Sequence, residues 1–216
     1  MRPTEWLRQQ CAGDWDAAID NPFVRELAAG TLPHGKLAAY LVQDYTFIEA
    51  FVRLLASQVA HAPSLLDALP GAQFLGVIAG PENTYFQRCF DELGVPETLR
   101  TAPALTPVAR DFQGLMNEAA RSGKYEQMLA VLVGAEWSYL AWATPYAGRA
   151  ESLPFIYGEW IALHSGGYFE SVVEYLRGQL DTVWAGLDEP ARTETLATFR
   201  RMIALERAFF EESYAS

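Results

Sequence analysis

The stretch Asn21–Phe51, NPFVRELAAGTLPHGKLAAYLVQDYTFIEAF, decides the fold. It opens on Asn21-Pro22, a capping residue followed by the proline that a first helical turn tolerates. The helix so begun stops at Gly30, and Thr31-Leu32-Pro33 starts a longer one. The apolar residues of that second helix, Leu37, Tyr40, Leu41, Phe47, Ile48, Phe51 and Leu55, recur at three- and four-residue spacing, the period of one helical face. β-Branched residues are few and no Asn-Gly or Asp-Gly hairpin signal occurs, whereas Ala, Leu, Glu, Gln and Arg dominate.

Turn residues divide the rest of the chain in the same way. Thr4 is placed to cap a first helix reaching about residue 18, and the helix from Pro33 extends to about residue 62. Pro63 and Pro70-Gly71 break the chain before a helix that ends at Gly94. Pro103 and Pro107 precede a helix stopping at Ser122-Gly123, and the next runs from Lys124 to Thr144, ahead of Pro145. Pro154 starts a helix to Ser165, Gly166-Gly167 kinks or breaks it before a continuation to Gly186, and a last helix with Pro190 in its first turn reaches about Tyr214. With no internal repeat and no Ser/Gly-rich linker, the expectation is one all-α bundle domain spanning residues 1–216.

The 216 residues are half apolar and 20% charged, and 16 Lys and Arg against 27 Asp and Glu leave a net charge of −11. That balance argues against nucleic acid and against anionic lipid, both of which need a basic face. Two cysteines, Cys11 and Cys89, exclude a disulfide scaffold and a cysteine-rich zinc module. No stretch approaches the roughly 20 apolar residues of a membrane helix. The N-terminal MRPTEWLRQQCAGDWD lacks an apolar signal core, so a cytoplasmic protein is expected.

Polarity in the wrong place carries the functional signal. Asp44 falls in the middle of the apolar face just described. Glu136 falls in the middle of the face Leu129, Leu132, Val133, Tyr139, Leu140, Ala143, and Glu206 in the face Phe199, Met202, Ile203, Phe209, Phe210. A buried, unpaired carboxylate costs several kcal/mol or takes up a proton. One such acid is as readily a satisfied core residue; three, on three helices, point to a shared pocket. Tyr40, Tyr45, Phe47, Phe51, Phe112, Tyr139, Trp142 and Tyr168 are its candidate walls. An aromatic slot edged by acids suits a flat, weakly basic, nitrogen-rich ligand. The rival use of such acids, a di-metal site, relies on Glu-x-x-His, and the residues three before His34, His61 and His164 are Thr31, Gln58 and Ile161. Glu82 or Glu49 with His61 or His164 would be left to assemble such a site in space. Cys11 and Cys89 have no histidine beside them and read as small buried hydrophobes.

Asn21–Phe51, with its Pro-Phe-Val helix, Gly-Thr-Leu-Pro and Tyr-x-x-Gln-Asp, resembles the TenA family, the thiaminase II group. AVLVGAEWSYLAWA (Ala130–Ala143), YGEWIALHSGGYF (Tyr157–Phe169) and the helix of Glu206 are similar to further blocks of that family, in the same order. The resemblance implies the haem-oxygenase-like all-α fold, a homotetramer, no cofactor and no metal ion. It also implies hydrolysis of thiamin-related pyrimidines, the 5-aminomethyl compound or its N-formyl derivative. By resemblance Asp44 holds the aminopyrimidine, Glu206 is catalytic, and Tyr139 is an active-site tyrosine. Phe47 and Phe112 stand where many members carry tyrosines.

The well-studied branch has a nucleophilic cysteine where alignment on Trp137 puts Ala135, with Glu136 beside it. His164 stands near a tyrosine of that branch. The chain therefore looks like the branch with a glutamate in place of the cysteine. The expectation is acid–base work shared by Glu136 and Glu206, with Tyr139 and His164 orienting water or the amine. A pyrimidine-binding protein without turnover and a metal-dependent oxidase on the same fold are the alternatives.

Overall fold

A computed structural model describes residues 1–215. Among them there is no strand; helices occupy nearly the whole chain. They run α1 (Pro3–Gln9), α2 (Ala12–Ile19), α3 (Pro22–Ala29), α4 (His34–Tyr45), α5 (Phe47–His61) and α6 (Leu65–Val77). After a π-helical turn, Ile78–Glu82, come α7 (Asn83–Glu92), α8 (Glu97–Thr101), α9 (Pro107–Arg121) and α10 (Tyr125–Ala143). A 3-10 segment, Thr144–Ser152, leads to α11 (Phe155–Leu163), α12 (Gly166–Trp184) and α13 (Glu189–Ala215).

The α10 helix is the axis of the bundle. Sixteen of its nineteen residues are buried, as an almost wholly apolar helix requires. It packs against α13, α12, α5, α9 and α2. Gly134 permits a close approach to α13, since a Cβ there would lie 2.7 Å from Met202 Cγ. One continuous apolar core runs from Leu7 to Phe210.

Local chemistry explains most of the boundaries. Asn21 caps α3, its Oδ1 accepting from the Val24 amide at 3.0 Å, and Gly30 ends it at a φ of 69°. Gly166, at a φ of 78°, makes the break before α12 complete.

Several boundaries differ from the sequence reading, among them the π-helical turn inside the helix read as ending at Gly94 and the unforeseen α8. The first helix is two, α1 and α2, and Thr4 lies inside α1, fully buried, its amide donating to Asp181 Oδ1 at 2.8 Å. Pro70 lies within α6. Packing overrides it: Gly71 meets α5 where a Cβ would sit 2.7 Å from Gln58 Oε1, and the Tyr175 hydroxyl on α12 donates to the Asp67 carbonyl. The 3-10 segment carries the chain on past Pro145 instead of stopping there.

The helix read as running from 33 to 62 is broken at Thr46. Its hydroxyl donates to the Gln43 carbonyl at 2.6 Å, and Gln113 on α9 donates to the Thr46 carbonyl at 2.8 Å. These bonds divert the carbonyls from the helical ladder. Asp44, Phe47, Ile48 and Phe51 then reach one cavity from the two sides of the break.

Candidate active site

The cavity lies between α4, α5, α9, α10, α11 and α13, closed by the π-helical turn, and encloses about 500 Å³ counting its mouth. Asp44, Phe47, Phe112, Glu136, Tyr139, His164 and Glu206 all line it. Ala135 lines it too, where the resemblance places a cysteine in other members.

Burial dominates the electrostatics. It pushes the carboxyls of Asp44 and Glu136 up to about 8, the charge of Asp44 adding to the effect on Glu136. Glu206 is raised well above the usual range, first by burial and then by Asp44 and Glu136. Both its oxygens are buried without a hydrogen-bond partner. A carboxyl kept dry and unpartnered is poised for something the cavity receives. No Lys or Arg among the described residues lines the cavity to compensate these acids.

The remaining polar groups are neutral. His164 Nδ1 lies 2.8 Å from the Trp160 carbonyl, which only accepts, so Nδ1 carries the proton and Nε2 is left as an acceptor. Burial pushes this imidazole down to about 4. The Tyr40 and Tyr139 hydroxyls share a 2.7 Å hydrogen bond, and burial raises both phenols.

The aromatic wall differs from the slot expected of it. Phe47 and Phe112 stack on each other, ring centres 4.6 Å apart and planes 12° from parallel. They leave no room for a third ring between them and form one face. Of the other expected walls, Phe51 lines the cavity, and Tyr40 stands behind Tyr139. Tyr45 points elsewhere, donating to Asn83 Oδ1 at 2.9 Å. Trp142 is buried behind Tyr139, and Tyr168 is 50% exposed.

Glu82 is a fourth acid of the cavity, which the sequence reading weighed only as a metal ligand. Its signal was present: it lies three and four residues before buried Tyr85 and Phe86, the spacing that singled out the other three. The sequence reading ran one helix through this position to Gly94 and did not follow its apolar face. Burial, then Glu136 and Asp44, raise its carboxyl well above the usual range. Trp160, Ile78 and Met116 complete the lining as apolar residues that no sequence pattern distinguishes from ordinary core.

The metal candidates do not gather. His164 and Glu82 share the cavity, but Glu49 pairs with Arg53 at the surface, and His61 Nδ1 bonds the Ser57 carbonyl on an exposed turn. Among the described residues no three His, Cys, Asp or Glu side chains are arranged to hold a metal ion. Cys11 and Cys89 are buried away from the cavity, their thiols pushed up by burial to about 11 and about 12.

Fold and site together define a helical-bundle protein with an acid-lined internal pocket. The model of the TENA/THI-4/PQQC family matches residues 8–216, and the chain belongs to that family. An aminopyrimidine aminohydrolase of Halalkalibacterium halodurans is 26% identical over 204 residues, covering 93% of this chain and 90% of that protein. A TenA homologue from P. horikoshii OT3 superposes with a TM-score of 0.85 at 23% identity, over 100% of this chain and 99% of that one. A domain from Shewanella denitrificans OS217, described as having a heme oxygenase-like fold, follows over 98% and 92% with a TM-score of 0.70 at 14% identity. The all-α, haem-oxygenase-like fold is thereby established. Among the described residues no helix is long and apolar enough to cross a membrane.

Proposed function

We propose that the cavity hydrolyses a thiamin-related aminopyrimidine, 4-amino-5-aminomethyl-2-methylpyrimidine or its N-formyl derivative, in thiamin salvage. The observation that carries this reading is the set of carboxyls with raised affinity for protons in one cavity, Glu206 unpartnered among them. The relative named an aminopyrimidine aminohydrolase, covered nearly end to end, supports the substrate class.

Asp44 accepts from the ring amino group, and the Phe47–Phe112 face carries the pyrimidine plane. One of Glu136 and Glu206, protonated, gives its proton to the departing amine, and the other, ionised, takes one from the attacking water. Carbon–nitrogen bond cleavage and carbon–oxygen bond formation then yield ammonia and the hydroxymethyl pyrimidine. On the N-formyl compound the same water attacks the formyl carbon, the formyl carbon–nitrogen bond breaks with the proton passing to nitrogen, and formate and the aminomethyl pyrimidine are released. With its carboxyl near 8, Glu136 exchanges a proton close to neutral pH, while Glu206, raised further into the basic range by burial, holds its own more firmly. Tyr139 and the Nε2 lone pair of His164 orient the water or the amine. With Ala135 in the cavity and both thiols elsewhere, the chemistry we propose has no covalent thiol step and draws on no cofactor or metal ion. A single domain, assembled as a homotetramer in the cytoplasm, belongs to the same reading; light scattering checks the tetramer.

The test incubates the protein separately with the aminomethyl pyrimidine, its N-formyl derivative and thiamin, following products by mass spectrometry. Turnover of either pyrimidine but not thiamin is expected, with Glu206→Gln and Glu136→Gln each losing about 10²-fold or more in kcat. Thiamin cleavage would point to a nucleophile outside this scheme. Binding without turnover would make the protein a pyrimidine-binding one, and turnover of none would favour the oxidase reading, to be followed by metal analysis.

A further inference from the structure

Glu82 is the acid that the mechanism above leaves unused. It ends the π-helical turn, and such turns concentrate at functional sites. Glu82 and Ile48 are the two lining residues that keep part of their surface exposed; every other one is buried. The cavity therefore opens beside Glu82. Glu206, at 1% exposure, stands deep within it. Glu136 and then Asp44 are the charges that act on Glu82, so it shares the cavity with that pair at close range.

A site with acids along its length and no basic lining residue rewards a ligand that brings positive charge to one of those acids. An anionic substituent there is repelled, and a neutral one leaves the acids uncompensated.

We propose that Glu82 is a specificity residue, receiving the protonated 5-aminomethyl group of the substrate at the cavity mouth beside Glu136 and selecting that cation over neutral or anionic 5-substituents. This rests on the aminopyrimidine reading of the site. The proton that makes this group an ammonium is the one that the protonated member of Glu136 and Glu206 supplies to the amine. The carbon–nitrogen electron pair leaves with nitrogen as ammonia, water supplies the new carbon–oxygen bond, and the proton that water loses passes through a carboxylate to ammonia. The products are the hydroxymethyl pyrimidine and an ammonium ion, released past Glu82. The unphosphorylated product falls to a separate phosphoryl-transfer reaction if a phosphate ester is to be made, because this cavity offers a phosphate no cationic partner.

Calorimetric titration with two ligands differing only at the 5-substituent, aminomethyl and hydroxymethyl, tests the proposal without relying on turnover. The wild-type protein should bind the aminomethyl compound on the order of tenfold or more tighter, and Glu82→Gln should lose most of that preference while binding the hydroxymethyl compound unchanged. Glu82→Asp should restore part of it. Equal wild-type affinity for the two ligands overturns the proposal without any variant, as does a preference that survives in Glu82→Gln. Preference without turnover would remove the hydrolase reading and leave Glu82's role standing; turnover with an unchanged preference ratio would do the reverse. A wild-type protein that binds neither ligand overturns both.

Discussion

Burial lifts the carboxyls of Asp44 and Glu136 to about 8, against roughly 4 in an unfolded chain. Between those values the folded protein holds protons that the unfolded chain has released, so stability falls as pH rises through the window. His164 works in the opposite sense. Its imidazole is pushed down to about 4 from 6.5, so over that interval the unfolded chain binds a proton that the folded one does not, and stability falls as pH drops. The acids outnumber the imidazole. Calorimetric melting of the ligand-free protein should therefore give a Tm that falls from roughly pH 5.5 to 8.5. Glu136→Gln should flatten that slope, and His164→Gln should steepen it below roughly pH 6.5. A Tm that rises across the same range would mean that the cavity acids ionise freely in the folded state. The mechanism would then lose its source of protonated carboxyl.

At the level of elements, the position of Glu206 depends on how α13 lies on α10. Gly134 permits that contact: a Cβ there would stand 2.7 Å from Met202 Cγ, 3.1 Å from Met202 Cβ and 3.6 Å from Ile203 Cδ1. Glu206 follows one turn after Met202 on the same helix. Gly134→Ala should destabilise by about 1–3 kcal/mol in denaturant titration and lower kcat by shifting Glu206 away from Glu136. Met202→Ala in the same chain should restore part of both; a strictly additive double variant would mean that the two residues do not share the contact. On α11, a Cβ at Gly158 would run into the Ala150 carbonyl. The obstacle there is backbone and cannot rotate away, so Gly158→Ala should cost more than Gly134→Ala in the same titration.

Across the whole molecule, the N-terminal helix is latched to α12. Arg2 Nε donates to Asp181 Oδ2 at 2.6 Å, and Arg177 Nη2 donates to Glu5 Oε1 at 2.5 Å. The Arg177 guanidinium also lies 3.7 Å from the centre of the Trp137 ring, on the helix that carries Glu136 but on the side away from the cavity. Arg177→Met keeps the apolar stem and loses the charge; it should cost about 1–2 kcal/mol, read as a lower Tm, while kcat changes less than twofold. A large loss of kcat at unchanged Tm would mean that the latch positions the cavity. The sequence by itself determined the all-α class, because a 3.6-residue apolar period and a near absence of strand formers leave no other way to bury half of these residues. It also determined that Asp44, Glu136 and Glu206 point inward, since an acid in phase with an apolar face has nowhere else to go. Only the tertiary structure decided where Thr46 breaks the helix, because Gln113, which takes the Thr46 carbonyl, lies 67 positions away in the chain. Only it carried α6 through Pro70, through contacts with α5 and α12, and turned the Phe47–Phe112 pair into one wall. It alone brought Glu82 to the mouth of the cavity, because a π-helical turn shifts the phase that a sequence reader counts by, and that shift is set by what the turn packs against.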